Sequence, residues 1–117
     1  MKSSTLQDAY FRFTQLLVTL ENSPSFPKLD DVEGKLLHTI AIATRSGKLL
    51  LVGDLIFANK LGSPATLHRR LGKLIEKELI QYAEDADARK KFLELTPKSQ
   101  KYFNKLGECL MKASATK

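Results

Sequence analysis

The sequence predicts a mainly α chain with one small antiparallel β-wing, an α+β fold built as a single domain over residues 1–117. Three observations predict it. Five segments repeat apolar residues at spacings of three and four, the period of a helix that buries one side. Two short apolar runs, 79–82 and 91–95, flank a polar stretch without a core residue, which is the pattern of a hairpin. Ser63-Pro64 and Thr96-Pro97 each set a hydroxyl and then a proline where a helix begins.

Taken in order, residues 4–21 carry Leu6, Tyr10, Phe13, Leu17 and Leu20 on one stripe, an amphipathic helix. The connector ENSPSFPKL has two prolines and no period. Asp30 and Glu33 form an Asp-x-x-Glu capping box that opens a second helix carrying Val32, Leu36, Leu37, Ile40, Ala41 and Thr44. Ile42 and Ala43 leave that helix little polar surface, so it is expected to be largely buried, with Gly47 closing it. His38 has no second His, Cys or carboxylate at ligand spacing and reads as structural; no metal site is expected. KLLLV, 48–52, is a brief strand.

Residues 54–79 parse as two helices joined by a tight turn. Asp54 suits the first helix N-terminus, and Leu55, Phe57, Ala58 and Leu61 are its apolar side. Gly62 is expected to end it in the left-handed conformation. The second helix, 63–78, has Ser63 as N-cap and Pro64 in its first position. Leu67, Leu71 and Leu74 form its buried stripe, with Ile75 and Glu78 at the margins. The opposite face holds Ala65, Arg69 and Lys73, flanked by Thr66 and His68. This is a helix-turn-helix, and the segment 80–96 adds a hairpin wing with a polar tip. A last helix, 97–113, carries Tyr102, Phe103, Leu106, Cys109, Leu110 and Ala113 on its stripe. A helix-turn-helix followed at once by a two-stranded hairpin is a winged helix-turn-helix.

Charge is distributed unevenly. Residues 1–58 hold six Lys and Arg against six Asp and Glu, whereas 59–117 hold thirteen against seven, so the whole net charge of +6 lies in the second half. Such asymmetry is expected of a chain that meets a polyanion with one side. One cysteine excludes an internal disulfide framework, and no apolar run approaches a membrane span or a signal sequence. These features lead us to expect a soluble, cytoplasmic protein without membrane contact. Cys109 lies on an apolar stripe and reads as a buried or interfacial thiol. There is no Gly-rich phosphate loop, no Cys/His cluster and no nucleophile–base pair, and Asp85 and Asp87 at a hairpin tip are not a metal site. The chain reads as a non-enzyme that needs no cofactor.

From Gly53 to about Leu106 the chain resembles the MarR family of winged-helix transcription regulators. LGSPATLHRRLGKLIEKELI resembles the family's turn and recognition helix, DADARKKFLELT its wing, and LTPKS its entry to the following helix. The chain departs at Leu51, where an N-cap Thr is usual, at Ser99, which replaces Gly, and at Arg70, whose position is usually apolar. It also ends after one C-terminal helix, where the family adds another that builds its dimer interface.

The resemblance implies a sequence-specific regulator that binds double-stranded DNA, with helix 63–78 in the major groove and residues 84–91 of the wing at the minor groove. Ser63 and Thr66 can bond phosphate or base edges, and Ala65 lets the backbone approach. Arg69 has the planar fork that matches guanine O6 and N7. His68 can donate or accept at the groove edge, and Lys73 meets phosphate. Arg70, at the edge of the buried stripe, is expected at a backbone contact or in an internal salt bridge rather than on a base. In the wing, Arg89 enters the minor groove, Asp87 of the Asp-x-Arg holds it, and Lys90 and Lys91 contact phosphate. Helices 4–21 and 97–113 carry more large apolar side chains than one small domain needs, which implies a homodimer and an operator that is an imperfect palindrome. No residue singles out a small-molecule effector. The alternative is a winged helix used as a protein–protein interaction module without DNA binding.

Overall fold

Leu67, Leu71 and Leu74 lie on one side of a single helix and all three are buried, which fixes the face that helix turns to its core. In the computed structural model, which describes residues 2–58, 60–84 and 91–115, the elements run α1 (Ser3–Glu21), α2 (Asp31–Arg45), β1 (Leu50–Leu51), α3 (Val52–Ala58), α4 (Pro64–Glu76), β2 (Ile80–Tyr82), β3 (Phe92–Leu95) and α5 (Pro97–Ser114). Mainly helical, with one small antiparallel sheet, this is the winged helix-turn-helix expected from the sequence. The chain divides into two compact units, residues 29–100 and the paired segments 1–28 and 101–117.

The first unit is built on three helices and the sheet. Leu36, Leu37 and Ile40 of α2, Leu55 and Ile56 of α3, the α4 leucines, Leu79, Ile80 and Leu93 are all buried. Each such side chain contributes about 1.5–3 kcal/mol on leaving water. β3 is the central strand, in the order β1-β3-β2, with Leu50 opposite Leu93 and Ile80 opposite Leu95. The sheet therefore ties the strand before the helix-turn-helix to both strands after it.

Local chemistry sets the ends of α2. Asp30 accepts from the Glu33 N–H at 2.8 Å and Glu33 returns the bond to the Asp30 N–H at 3.0 Å, the expected capping box. At the other end Gly47, at φ +82°, lets its own N–H reach Thr44 O and the Lys48 N–H reach Ala43 O, a Schellman closure. α2 is not largely buried, however: Ile42 is 51% exposed and His38 is exposed. An apolar sequence can be read as buried on all sides, but only the side with Leu36, Leu37 and Ile40 meets the core.

α3 begins two residues earlier than the sequence suggested, because β1 runs straight into it with no connecting turn. Val52 donates its N–H to Lys91 O of the neighbouring chain segment. The expectation of a left-handed Gly62 is also corrected. α3 ends at Ala58, Gly47 is the glycine with positive φ among the described residues, and Gly62 does not take that conformation.

The second unit pairs α1 with most of α5. The Phe26 and Tyr102 rings stack at 4.9 Å, Phe103 meets Tyr102 edge-on at 5.2 Å, and the Arg12 guanidinium donates to Ala113 O at 2.9 and 3.1 Å, capping the end of α5. Burial raises the Tyr102 phenol above the ordinary 10.0, and the Glu21 carboxylate adds in the same direction. Cys109 and Ala113 are buried as the stripe implied, but Leu110 is exposed. α1 buries no residue completely, and Leu6, Tyr10, Phe11 and Val18 are exposed along it. No described helix is long and apolar enough to cross a membrane.

Candidate nucleic-acid interface

α4 is positioned at both ends by bonds its sequence supplies. The Ser63 hydroxyl accepts from the Thr66 N–H at 3.2 Å and donates to Thr66 Oγ1 at 3.1 Å, while Pro64 fills the first helical position. The helix then closes through Glu78, whose φ is +61°. The Glu78 N–H reaches Ile75 O at 2.9 Å and the Leu79 N–H reaches Leu74 O at 3.0 Å, the same pair of bonds that closes α2. Two side chains from the start of α5 hold this corner. Thr96 donates to Glu78 O at 2.7 Å and Lys98 donates to Lys77 O at 2.8 Å. Thr96 is itself locked by Ser99, which donates its N–H to Thr96 Oγ1 and accepts the Thr96 N–H at 2.9 Å. Ser99 is fully buried, so the hydroxyl that departs from the family pattern serves as half of a cap.

With the leucine stripe inward, the sequence-predicted residues fall on the outer side of α4. Ser63, Ala65, His68, Arg69 and Lys73 are exposed and Thr66 is half-buried by its capping role. Arg69 and His68 make no hydrogen bond or ion pair among the described residues, so both are available to a ligand. Lys73 is 3.4 Å from Glu76, with both side chains at least half exposed. Such a pair contributes about 0.3–0.5 kcal/mol and yields readily to a stronger anion.

Of the backbone contact and the internal salt bridge open to Arg70 from the sequence, the structure has the salt bridge, 2.9 Å from Asp30 and 3.7 Å from Glu33. Sequence reasoning treated Glu33 only as a cap and missed Lys77, whose ammonium lies 2.7 Å from Glu33. The Asp-x-x-Glu signal marked one partner; nothing local pointed to the other across 44 positions of chain.

Of the expected wing residues, Asp87, Arg89 and Lys90 lie outside the described residues. Lys91 is described and exposed, with its ammonium 5.6 Å from the centre of the Tyr82 ring. Tyr82, 48% exposed on β2, was also missed; its place opposite Leu93 in the sheet is a matter of register that single-residue patterns do not carry. Among the described residues no group of His, Cys, Asp and Glu could hold a metal.

No family model matches the chain, and no curated protein matches it. Solved structures do. A MarR-family transcriptional regulator from Silicibacter pomeroyi matches at TM-score 0.51 and 20% identity, over 94% of this chain and 66% of that one. A mutant of ZitR from Lactococcus lactis matches at 0.53 and 20%, over 96% and 80%. BpsR of Bordetella bronchiseptica, whose DNA binding is regulated by 6-hydroxynicotinic acid, matches at 0.50 and 16%, over 97% and 78%. The chain thus has the MarR-like winged-helix fold and spans just under two thirds of the Silicibacter protein's length.

Proposed function

We propose that the chain is a sequence-specific regulator of transcription that binds double-stranded DNA, with residues 63–78 in the major groove and residues 84–91 at the minor groove. The observation that carries the reading is the outer face of α4: a small-residue start at Ser63 and Ala65, then an exposed Arg69 without a partner among the described residues, opposite three buried leucines. Arg69 reads a base edge, Ser63, Thr66 and His68 support it at the groove edge, and Lys73 meets phosphate once it leaves Glu76. Lys91, with Lys90, adds phosphate contacts, and Arg89, held by Asp87, enters the narrow groove. BpsR is a protein of the same fold whose DNA binding is itself the regulated event.

The functional form is a homodimer. Exposed Leu6, Tyr10, Phe11 and Val18 on α1 and Leu110 and Met111 on α5 supply apolar surface for a partner copy, and two-fold symmetry then calls for an imperfect palindrome. Selection of bound duplexes from a random-sequence DNA pool tests the reading. Enrichment of a palindrome with half-sites about one helical turn apart supports it. Recovery of no common sequence overturns it in favour of a protein-interaction module.

A further inference from the structure

Glu33 receives more positive charge than its cap requires. Its side chain is 4% exposed, and its Oε1 already accepts the Asp30 N–H, which completes the capping box. Lys77 Nζ nevertheless lies 2.7 Å from Oε1, and Arg70 Nη1 lies 3.7 Å from Oε2 and 2.9 Å from Asp30 Oδ2. Both cations belong to the α4 segment, seven positions apart and so about two helical turns, and both keep about a third of their side-chain surface in water. A buried carboxylate loses several kcal/mol of hydration and is stable only against such partners. The cations have no matching need of it, because each is exposed enough to turn outward.

We propose that Glu33, with Asp30, is a specificity-setting positioning residue. It holds Arg70 and Lys77 off the DNA and fixes the roll of α4, so that Arg69 and Lys73 rather than four cations face the duplex. The inference rests on the DNA-binding reading above. Its physical content is a subtraction. Every cation that reaches phosphate adds sequence-independent affinity and steepens the salt dependence by about 0.9 in the log–log slope. Withdrawing two cations from the helix that reads the bases lowers non-specific binding while leaving base readout intact.

The test measures binding of a mixed-sequence duplex, and of a duplex enriched in the selection, against salt for the full chain. Glu33→Gln keeps an acceptor for the Asp30 N–H and removes the charge. Its slope on the mixed duplex should steepen by about one per protomer as Lys77 is released, Arg70 staying on Asp30 at 2.9 Å, and its preference for the enriched duplex should fall about tenfold at low salt. Asp31→Asn makes the same charge change on α2, but its partner there is Lys35 at 3.0 Å, and it should shift neither quantity beyond the wild-type scatter. Adding Lys77→Met to Glu33→Gln should return the slope by about one per protomer.

A Glu33→Gln slope equal to wild type, or one matched by Asp31→Asn, overturns the proposal. Should Glu33→Gln fail to fold by circular dichroism, Arg70→Met alone decides. An unchanged slope supports an arginine held off the DNA, and a slope shallower by about one overturns it. Absence of any salt-dependent binding by the wild-type chain overturns the DNA-binding reading and this inference with it.

Discussion

Replacing Glu78 with glycine should make the protein more stable, although it removes a side chain and touches no core residue. Glu78 closes α4 at φ +61°, and its structural work is done by backbone atoms: its N–H to Ile75 O, the next N–H to Leu74 O, and its own carbonyl to the Thr96 hydroxyl. All three survive the substitution. The left-handed conformation costs an L-residue about 1–2 kcal/mol. Glycine avoids that cost and gives back about 0.5–1 kcal/mol through its greater freedom when unfolded. The net gain is about 0.5–1 kcal/mol, or about 0.3–0.7 M in a urea midpoint at m of ~1.5 kcal/mol/M. Glu78→Ala keeps the strained backbone and should stay within about 0.5 kcal/mol of wild type. Gly47, which closes α2 with the same pair of bonds, has nothing within 4 Å of an added Cβ, so Gly47→Ala should lose about 1 kcal/mol from backbone strain alone. Equal losses at Glu78 from glycine and alanine would refute the reasoning, since the carboxylate would then be the group that matters.

Three further outcomes follow from particular side chains. Arg69→Ala should lose about 1–3 kcal/mol on the preferred duplex and relax one base position, whereas Lys73→Ala should weaken all sequences alike; equal, sequence-independent losses would remove Arg69 from base readout. Light scattering at micromolar concentration should report a dimer that Leu106→Glu disrupts, and a monomer, or a dimer indifferent to that charge, would place the interface elsewhere. Tyr102 is held protonated by burial and by Glu21, so the folded state binds its proton more tightly than the unfolded chain does. Its contribution to stability is complete below pH 10.0 and is lost as pH rises from there through the raised value. Difference titration of tyrosinate absorbance between wild type and Tyr102→Phe should show a step above that pH; a step at or below it would contradict the burial.

What the sequence made legible was chemistry carried by near neighbours. Ser63-Pro64, Thr96-Pro97 and Asp30-x-x-Glu33 each begin a helix through bonds that span three residues, and each cap forms as read. The leucine stripe of α4 likewise needs only its period. Errors arose where the deciding partner is distant. α3 starts at Val52 because Leu51 pairs with Phe92 just before it, a contact across the whole helix-turn-helix. Gly62 looked like a helix end, but the ending came earlier, and the glycine's permissiveness went unused while Glu78 took the left-handed position. Ile42 is exposed because only one side of α2 meets the core, which apolarity alone does not disclose. The candidate site shows the same division: the outer face of α4 could be read from a helical wheel, whereas the hold of Glu33 on Lys77 and the Tyr82–Lys91 contact join separate elements.

The salt dependence of DNA binding tests the central claim most directly. On the proposed reading Lys73, Lys90 and Lys91 would give about three phosphate contacts per protomer and about six in a dimer. At about 0.9 each, log K for a duplex should fall linearly with log salt with a slope of about −3 to −5. A steep slope of that size, lowered by about one per protomer in Lys73→Ala, is the predicted result. Binding that is absent at low salt, or indifferent to salt, would contradict a DNA-binding α4 and assign its exposed face to a protein partner.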